Sequence, residues 1–322
     1  MAQITSAVTA KTLADGIRED LGDVIFNVSP FQTPFTSGIA TSSVTADNHE
    51  WLTDTLASAV HTNKHIEADT DLNKVVSART RKTNNVQIAQ KSVVVTQKTD
   101  FFDRAGVPGK EMAYQLVKIG KELQMDVEMQ TLANFIVKAA ADATTAGVSA
   151  SVPTWINTNE TVGSGGTANS ASTGSTGPAN GTDRDLTDTI FEGVLDGVWE
   201  NSGDMGNTKI MADATRVNSI RDKLTGIAND VNSDAKTGEI YNRVAVYVSQ
   251  FGPLAIVPNK HMPANSIYVL NMDTWGLGVA GGKKIHTTDI ATQTSAEQKL
   301  LQCYYSLEAR SEEANGGIYD IN

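Results

Sequence analysis

The longest unbroken hydrophobic pattern in the chain covers residues 108 to about 142 and predicts one long helix. Two apolar stripes carry the pattern, Met112, Leu116, Ile119 and Leu123 in the first half and Met125, Met129, Leu132 and Ile136 in the second. Pro108 suits the first turn, because the N–H that proline lacks has no helical partner there. Such a helix spans about 45–50 Å, and since its stripes lie on nearly opposite faces, we expect different partners at its two ends.

The segment before residue 46 predicts an arm with one short helix. Leu13, Ile17 and Leu21 recur at the spacing of one helical face, and Pro30 and Pro34 then interrupt the pattern. So short an apolar face needs another part of the protein to lie against.

Residues 64–98 predict an extended two-stranded loop. Residues 86–90 alternate between apolar and polar, residues 93–95 are three valines, and Asn84-Asn85 has the composition of a turn. A hairpin with so few apolar residues is not stable alone, so we expect support from elsewhere.

The second half predicts an α+β lobe behind a flexible insertion. Residues 163–181 are almost entirely Gly, Ser, Thr, Ala and Asn, a composition that buries little apolar surface and predicts a flexible surface segment. Helical patterns over 186–198 and 217–224 flank a strand at 209–211. Strands at 244–248, 254–257 and 267–270 suggest a meander, and strands at 300–309 and 317–321 are expected to close against the long helix.

Composition narrows the class of protein. The chain has 322 residues, 40% of them hydrophobic, which is enough for one large or two ordinary domains. Its net charge of −11 opposes broad, non-specific binding of nucleic acid, since that binding depends on Lys and Arg neutralising phosphates. A single cysteine, Cys303, excludes an internal disulfide and suits a reducing cytoplasm. We expect neither a secretion signal nor a membrane span.

The order of elements and several short motifs carry a family resemblance. The chain resembles the major capsid proteins of tailed phages, whose fold is named after phage Hong Kong 97. The likeness covers roughly residues 17–54 and 247–319, whereas residues 60–246 match only in the order of elements. The matching residues are Glu19-Asp20-Leu21, Asp23-Val24-Ile25, Pro30, Thr33-Pro34-Phe35, Glu50-Trp51, Asp54, Tyr247-Val248-Ser249-Gln250-Phe251-Gly252, Val257-Pro258-Asn259, Leu307-Glu308 and Glu312.

The resemblance implies an α+β fold of the Hong Kong 97 type, divided into five segments. These are an N-terminal arm (1–45), an extended loop reaching the neighbouring subunit (46–100), a peripheral domain with the spine helix and the insertion (101–182), an axial domain meeting its copies at capsomer centres (183–280), and a return to the peripheral domain (281–322). The insertion is where the chain departs most from a minimal version of this layout.

Charge suggests how the extended loop could dock. Residues 64–98 carry a net charge of about +4, whereas residues 183–250 carry about −5. Opposite charges on segments that neighbouring subunits bring together favour correct docking, and a solvated hairpin face is the alternative interpretation. The candidate subunit-interface residues are Lys74, Arg79, Arg81, Lys82 and Lys91.

The residues around each candidate enzyme motif argue against an enzyme. Residues 276–281 satisfy G-x-G-x-x-G, but no helical pattern follows to direct N–H groups at a pyrophosphate. The same stretch is not a P-loop, because Leu277 replaces the first glycine and Lys284 replaces the Ser or Thr after Lys283. His61 and His65 are four residues apart in a predicted loop, and we assign them no metal. No spacing of acids singles out a catalytic pair.

The sequence therefore predicts a structural protein that is not an enzyme and has no catalytic, cofactor-binding or metal-binding residues. The resemblance implies self-assembly into pentamers and hexamers that form an icosahedral head around double-stranded DNA, without sequence-specific contacts to it. It implies assembly in the bacterial cytoplasm and a final location in the virion, and it allows for portal, scaffold or decoration proteins as partners. The alternatives are a cellular nanocompartment shell, an NAD-dependent enzyme and a glycan-binding surface protein.

Overall fold

The computed structural model describes residues 31–62, 64–68, 78–102, 109–203, 205–223, 230–233, 240–243, 246–291 and 295–322. The predicted arm helix at Leu13, Ile17 and Leu21 lies outside these residues. Two hydrophobic clusters form the core, one around Trp155, Trp275 and Tyr305 and the other around Phe191, Ile210 and Val269. In the described part of the chain, no helix is both long and apolar enough to span a bilayer.

The first sheet is built around its longest strand, β14. Strands β1 and β12 lie on one side of β14 together with β13, and β4 pairs with it on the other side. The β4–β14 ladder is antiparallel and runs from Gln87 opposite Tyr305 to Thr96 opposite Ala296. The strands are β1 (Ala40–Val44), β4 (Gln87–Thr96), β12 (Trp275–Ala280), β13 (His286–Ile290) and β14 (Ala296–Ala309).

One face of this sheet is covered by the long helix α3 (Glu111–Leu132). The predicted first stripe is confirmed, since Met112 and Leu123 are buried and Leu116 and Ile119 pack against the core. The predicted second stripe is wrong in part: Leu132 is buried as predicted, but Met129 is 61% exposed and Ile136 lies beyond the end of the helix.

The predicted helix is also too long. It ends at Leu132, and Phe135 adopts a left-handed φ of 53°. The Phe135 ring packs edge-on against Tyr319 at 5.3 Å, and the backbone then pairs with other segments, from Lys138 N to Gly174 O and between Ala139 and Val148. These tertiary contacts override the helical pattern of residues 133–142.

A buried carboxylate joins three parts of the chain. Glu128 on α3 has no exposed surface. Its oxygens accept hydrogen bonds from Phe35 N (2.9 Å) and Thr36 N (2.7 Å) at the start of the short helix α1 (Pro34–Gly38) and from Asn259 Nδ2 (2.8 Å). Asn259 follows a strand of the second sheet, so Glu128 connects the N-terminal segment, the long helix and the second lobe.

The second lobe confirms the predicted α+β unit. Its sheet has the order β5-β15-β11-β6-β10-β9, and α4 buries Phe191, Val194, Leu195 and Val198. The elements are β5 (Glu160–Thr161), α4 (Asp188–Ser202), β6 (Thr208–Ala212), α5 (Ala214–Lys223), β9 (Val246–Ser249), β10 (Gly252–Pro258), β11 (Ile267–Asn271) and β15 (Gly316–Ile318). A separate pair, β7 (Asp230–Ser233) and β8 (Ile240–Arg243), lies outside this sheet.

Two details of the strand predictions are wrong. The meander is interrupted, because β6 lies between β10 and β11 and pairs with both. The last strand, β15, joins the second sheet beside β11 instead of closing against the long helix, while β14 does contact α3 as expected. Strand order of this kind depends on side-chain packing between distant segments, which local patterns do not encode.

The extended loop uses strands other than the predicted pair. Residues 87–90 and 93–95 belong to the single strand β4, not to two strands of a hairpin. The loop is formed instead by β2 (Asn48–Thr53) and β3 (Thr80–Asn85), which pair antiparallel, and α2 (Gln97–Phe101) follows β4. The Asn84-Asn85 pair marks the passage from β3 to β4.

The insertion is ordered, contrary to the prediction of a flexible segment. Bridges between Ser164 and Thr182 and between Thr167 and Ala179 close it. Asn169 is buried and donates from Nδ2 to Thr154 O (3.0 Å) and Ile156 O (2.9 Å). The composition lacks apolar side chains, but backbone bridges and a buried amide fix the loop without them.

Candidate assembly surfaces

The base of the extended loop is fixed firmly to the core. Trp51 on β2 donates from Nε1 to Ala309 O (2.8 Å) and packs on Trp155 at 5.3 Å. Asn84 on β3 is fully buried, donates from Nδ2 to Leu307 O (2.7 Å), and accepts from Ala150 N (3.0 Å) at Oδ1. Buried amides satisfied on both sides hold one geometry, so the direction of the loop is set at its base.

An ionic cluster beside this base adds to the anchoring. Glu308 on β14 lies 3.6 Å from His49 Nε2, 3.1 Å from Arg310 Nε and 3.2 Å from Ser42 Oγ. The contacts with His49 and Arg310 lower the pKa of Glu308 to about 2, against the opposing effect of its burial. The carboxylate is therefore charged throughout the physiological range and connects β1, β2 and β14.

The outer part of the loop exposes apolar side chains to water. Leu56 is 99% exposed, and Leu52, Val60 and Ile66 are also largely exposed. We call Leu56, Val60 and Ile66 the loop tip. Large aliphatic side chains on a segment with so little packing of its own are typical of a surface that another molecule covers. The charge pattern of the sequence does not point to this group. The apolar residues at 52, 56 and 60, spaced four apart, are the sequence feature that indicates it.

A second surface with exposed apolar side chains is the sheet face opposite α3. Alternate residues of β4, including Ile88 and Val94, are exposed, while Val93 and Val95 are buried on the helix side. The β4–β14 register places Ile88 beside Tyr304 and Val94 beside Gln298, and Leu300 is partly exposed on the same face. We call Ile88, Val94, Leu300 and Tyr304 the open sheet face.

A third surface lies on the second lobe, where α4 meets the turn between β9 and β10. Trp199 on α4 is 42% exposed and stacks on Phe251 at 5.0 Å, and Val248 is half exposed beside them. A shallow pocket of about 130 Å³ lies next to this stack, lined in part by Glu192, Asp196 and Tyr247. Exposed aromatic rings of this kind are common at protein interfaces.

The predicted interface lysines and arginines do not form one patch. Arg79 and Arg81 lie on the loop and pair with its own acids, Arg79 Nε with Asp54 (3.7 Å) and Arg81 Nη1 with Glu50 (3.4 Å). Both arginine side chains remain mostly exposed. Lys74 lies outside the described residues.

The other two predicted residues are used within the subunit. Lys82 Nζ donates to Ser172 Oγ in the insertion (3.0 Å), and burial lowers its pKa, an effect that Glu312 and Glu313 partly offset. Lys91 Nζ lies 2.9 Å from Asp126 and 3.6 Å from Glu122, both on α3. Lys82 thus fixes the insertion to the loop, and Lys91 fixes β4 to the long helix.

The glycine motif serves packing. Residues 276–280 lie in β12 and a turn and β13 follow, so the helix required by a dinucleotide site is absent at this described position. A Cβ on Gly278 would lie 2.5 Å from Val44 Cγ2, and one on Gly276 would lie 2.9 Å from Glu308 Oε2. The two glycines let β1 and the ionic cluster approach β12 closely.

The remaining chemical candidates are also structural or exposed. Cys303 is buried in β14, and burial raises the pKa of its thiol to about 11, which suppresses the reactive thiolate. Within the described ranges, no three His, Cys, Asp or Glu residues are grouped closely enough to hold a metal ion.

Comparison with solved structures places this fold among phage capsid subunits. The capsid protein of a native GTA particle has a TM-score of 0.64 at 11% identity, covering 98% of this chain and 100% of its own. The capsid protein of Cyanophage A-1(L) also has a TM-score of 0.64, at 14% identity, with 98% and 99% covered. That of the mature capsid of bacteriophage PhiM1 has 0.57 at 12% identity, with 100% and 97% covered. These matches confirm the predicted α+β fold of the Hong Kong 97 type.

Sequence comparison gives the family. The major capsid protein of Escherichia phage Phieco32 is 35% identical over 101 residues, which are 31% of this chain. The match spans only 28% of that relative's length. The family described as SU10 major capsid protein, by contrast, matches residues 3–322, almost the entire sequence. The chain therefore belongs to the SU10 major capsid protein family.

Proposed function

We propose that copies of this chain associate into pentamers and hexamers that close into the icosahedral head enclosing the double-stranded DNA of a tailed phage. The observation that best supports the proposal is a loop whose base is fixed to the core and whose apolar tip is exposed to solvent. A lone subunit gains nothing from that arrangement, whereas a neighbouring copy can bury the tip. In this proposal the protein has no reaction, cofactor or metal, and it assembles in the host cytoplasm and ends in the virion.

The docking surface for the loop tip is the open sheet face of a neighbouring copy. The tip is apolar, and the open sheet face presents its four apolar side chains among polar ones, including Gln90 and Gln302. Both surfaces are continuous with rigid elements, the tip through Trp51 and Asn84 and the face through β14. Burying an aliphatic side chain of this size is worth about 1.5–3 kcal/mol, so the three tip residues supply roughly 5–9 kcal/mol per copy before the costs of association. Contacts of this strength, repeated around a shell, favour closed assembly over single subunits.

Arg79 and Arg81 keep their proposed place at the subunit interface. Their side chains remain mostly exposed despite the pairs with Asp54 and Glu50, and such exposed pairs are worth only about 0.2–1 kcal/mol. They can therefore exchange partners for acids of a neighbour at low cost. Replacing both arginines with glutamate should slow assembly at low salt and leave the melting temperature of the subunit nearly unchanged, as light scattering and circular dichroism would show.

The experiment for the tip combines one pair of substitutions with a matched pair. Leu56→Asp with Val60→Asp should leave the subunit folded and prevent closed particles, as judged by circular dichroism and electron microscopy. Ala168→Asp with Ser170→Asp adds the same charge to exposed residues of the insertion and should leave assembly intact. Normal particles from the tip variant would refute the docking role of the tip. A DNA-free particle that contained a protein cargo would favour the nanocompartment alternative.

A further inference from the structure

Five lysines form a cationic surface on the outer face of the long helix. Lys110, Lys118 and Lys121 fall within one third of the helix circumference at 100° per residue, and all three are exposed. The turn between β12 and β13 lies against the same helix, since a Cβ on Gly120 would lie 3.7 Å from Ile285 Cδ1. That turn carries the exposed Lys283 and Lys284. We call these five residues the lysine face.

The five lysines of the lysine face have no close ion-pair partner in the part of the chain that the structure describes. Within the described residues, none of the five ammonium groups lies within 4 Å of a carboxylate. Glu122, the residue after Lys121 on α3, lies 3.6 Å from Lys91. By contrast, Arg79, Arg81, Lys91, Lys299 and Arg310 all have ion-pair partners.

Two successive glycines shape the turn between β12 and β13. Gly281 and Gly282 both adopt left-handed φ angles, 63° and 69°. Two such residues in succession turn the chain sharply after β12, so that Lys283 and Lys284 are presented beside the helix. Lys284 lines a pocket together with Gln124 of α3, which places its side chain at the edge of the face.

We propose that the lysine face lines the interior of the shell and contacts the phosphate backbone of the packaged double-stranded DNA. This inference rests on the proposed function and adds an orientation to it, with the outer face of α3 toward the lumen. Lysine is a flexible point charge that binds phosphate without reading bases, which suits contacts independent of sequence.

Charge and composition favour DNA over a protein partner. The acids on α4, Asp188, Glu192, Asp196 and Glu200, recur every four residues and offer a complementary surface on a second copy. Lysine, however, is depleted from protein interfaces, whereas aromatic and apolar residues are enriched there. The loop tip, the open sheet face and the Trp199–Phe251 stack have that composition, and the lysine face does not. Because the rest of the subunit is acidic, contact with DNA stays weak and reversible, which lets DNA move during packaging and ejection.

The first test is lysine modification on assembled particles. Particles filled with DNA and particles emptied of DNA are treated with a small acetylating reagent, and mass spectrometry measures acetylation at each lysine. We expect Lys118, Lys121 and Lys284 to be acetylated severalfold less in filled particles, and Lys209 in the second lobe to be unchanged. Equal acetylation in filled and empty particles would overturn the proposal; if the level is low in both, another protein surface covers the lysine face.

The second test uses unassembled subunits and a 30-base-pair DNA duplex, so it remains valid even if shells do not form. Each phosphate contact contributes about 0.9 to the slope of log Kd against log salt, so five contacts give up to about 4.5. Lys118→Gln with Lys121→Gln should lower the slope to about 2.7 and weaken binding at low salt. The control, Lys209→Gln with Arg221→Gln, also removes two positive charges and should leave the slope unchanged. Equal slopes for the two variants would overturn the proposal, whereas failure of wild-type protein to form shells would contradict the proposed function instead.

Discussion

Replacing Glu128 with alanine should destabilise the subunit more than a single surface change can. The substitution leaves three buried donors without their acceptor, Phe35 N, Thr36 N and Asn259 Nδ2. An unsatisfied buried polar group costs about 1–3 kcal/mol, and water entering the space recovers part of that. We therefore expect a loss of roughly 3–5 kcal/mol in the free energy of unfolding.

The isosteric Glu128→Gln variant separates the loss of charge from the loss of volume. Its amide oxygen can still accept a hydrogen bond, but its NH₂ group faces another donor. We therefore expect the free energy of unfolding to fall by about half as much as in the alanine variant. Met129→Ala is the matched control, since Met129 is the next residue of the same helix and is 61% exposed. It should change the free energy of unfolding by at most about 0.5 kcal/mol.

Guanidinium titration of unassembled subunits, followed by circular dichroism, measures these differences. The two glutamate variants and the methionine variant are compared at one protein concentration and one temperature. If Glu128→Ala costs no more than Met129→Ala, the hydrogen bonds of Glu128 do not hold the N-terminal segment and the second lobe to the long helix.

Three further predictions concern other parts of the fold. Gly278→Ala places a Cβ 2.5 Å from Val44 Cγ2 and should lower the free energy of unfolding by about 1–3 kcal/mol, measured by differential scanning calorimetry. The control is Gly193→Ala, because a Cβ at Gly193 would meet no atom of the described residues within 4 Å. The pKa of Glu308 is lowered from 4.5 to about 2, so its charged form adds roughly 3 kcal/mol to the free energy of unfolding above pH 4.5, and this is lost as the pH falls towards 2. In urea titrations at several pH values, the free energy of unfolding of Glu308→Gln should therefore fall less on acidification than that of the wild type. Deleting residues 164–181 should impair folding, because it removes the amide of Asn169 that donates to the buried carbonyl groups of Thr154 and Ile156. A soluble variant with the melting temperature of the wild type would contradict this.

The elements that were predicted correctly are those with a regular spacing of apolar residues in their own sequence. The first stripe of α3, the helix α4 with Val194 and Val198 on its buried face, and the strand at 209–211 were predicted correctly, because their apolar residues follow a regular spacing. The burial of Phe191 and Leu195 on α4 was not predicted. The family motifs, which lie mainly near both ends of the chain, supplied the fold that local patterns alone leave open.

What could not be predicted depends on contacts between distant residues. The end of α3 at Leu132 is set by Phe135 packing on Tyr319, which is far away in the sequence. The order of the insertion depends on one buried amide, Asn169, within a tract whose composition is typical of flexible chains. The contacts of Lys82 with Ser172 and of Lys91 with Asp126 likewise depend on which residues the fold brings near them.

Electron microscopy of the purified protein tests the central claim most directly. Concentrated wild-type protein is imaged over a range of ionic strengths, with the Leu56→Asp and Val60→Asp double variant imaged in parallel. We predict closed particles whose walls resolve into pentamers and hexamers for the wild type, and single subunits for the variant. Wild-type protein that stays monomeric, or forms only open aggregates under every condition, would contradict the assignment of this chain as a self-assembling shell subunit.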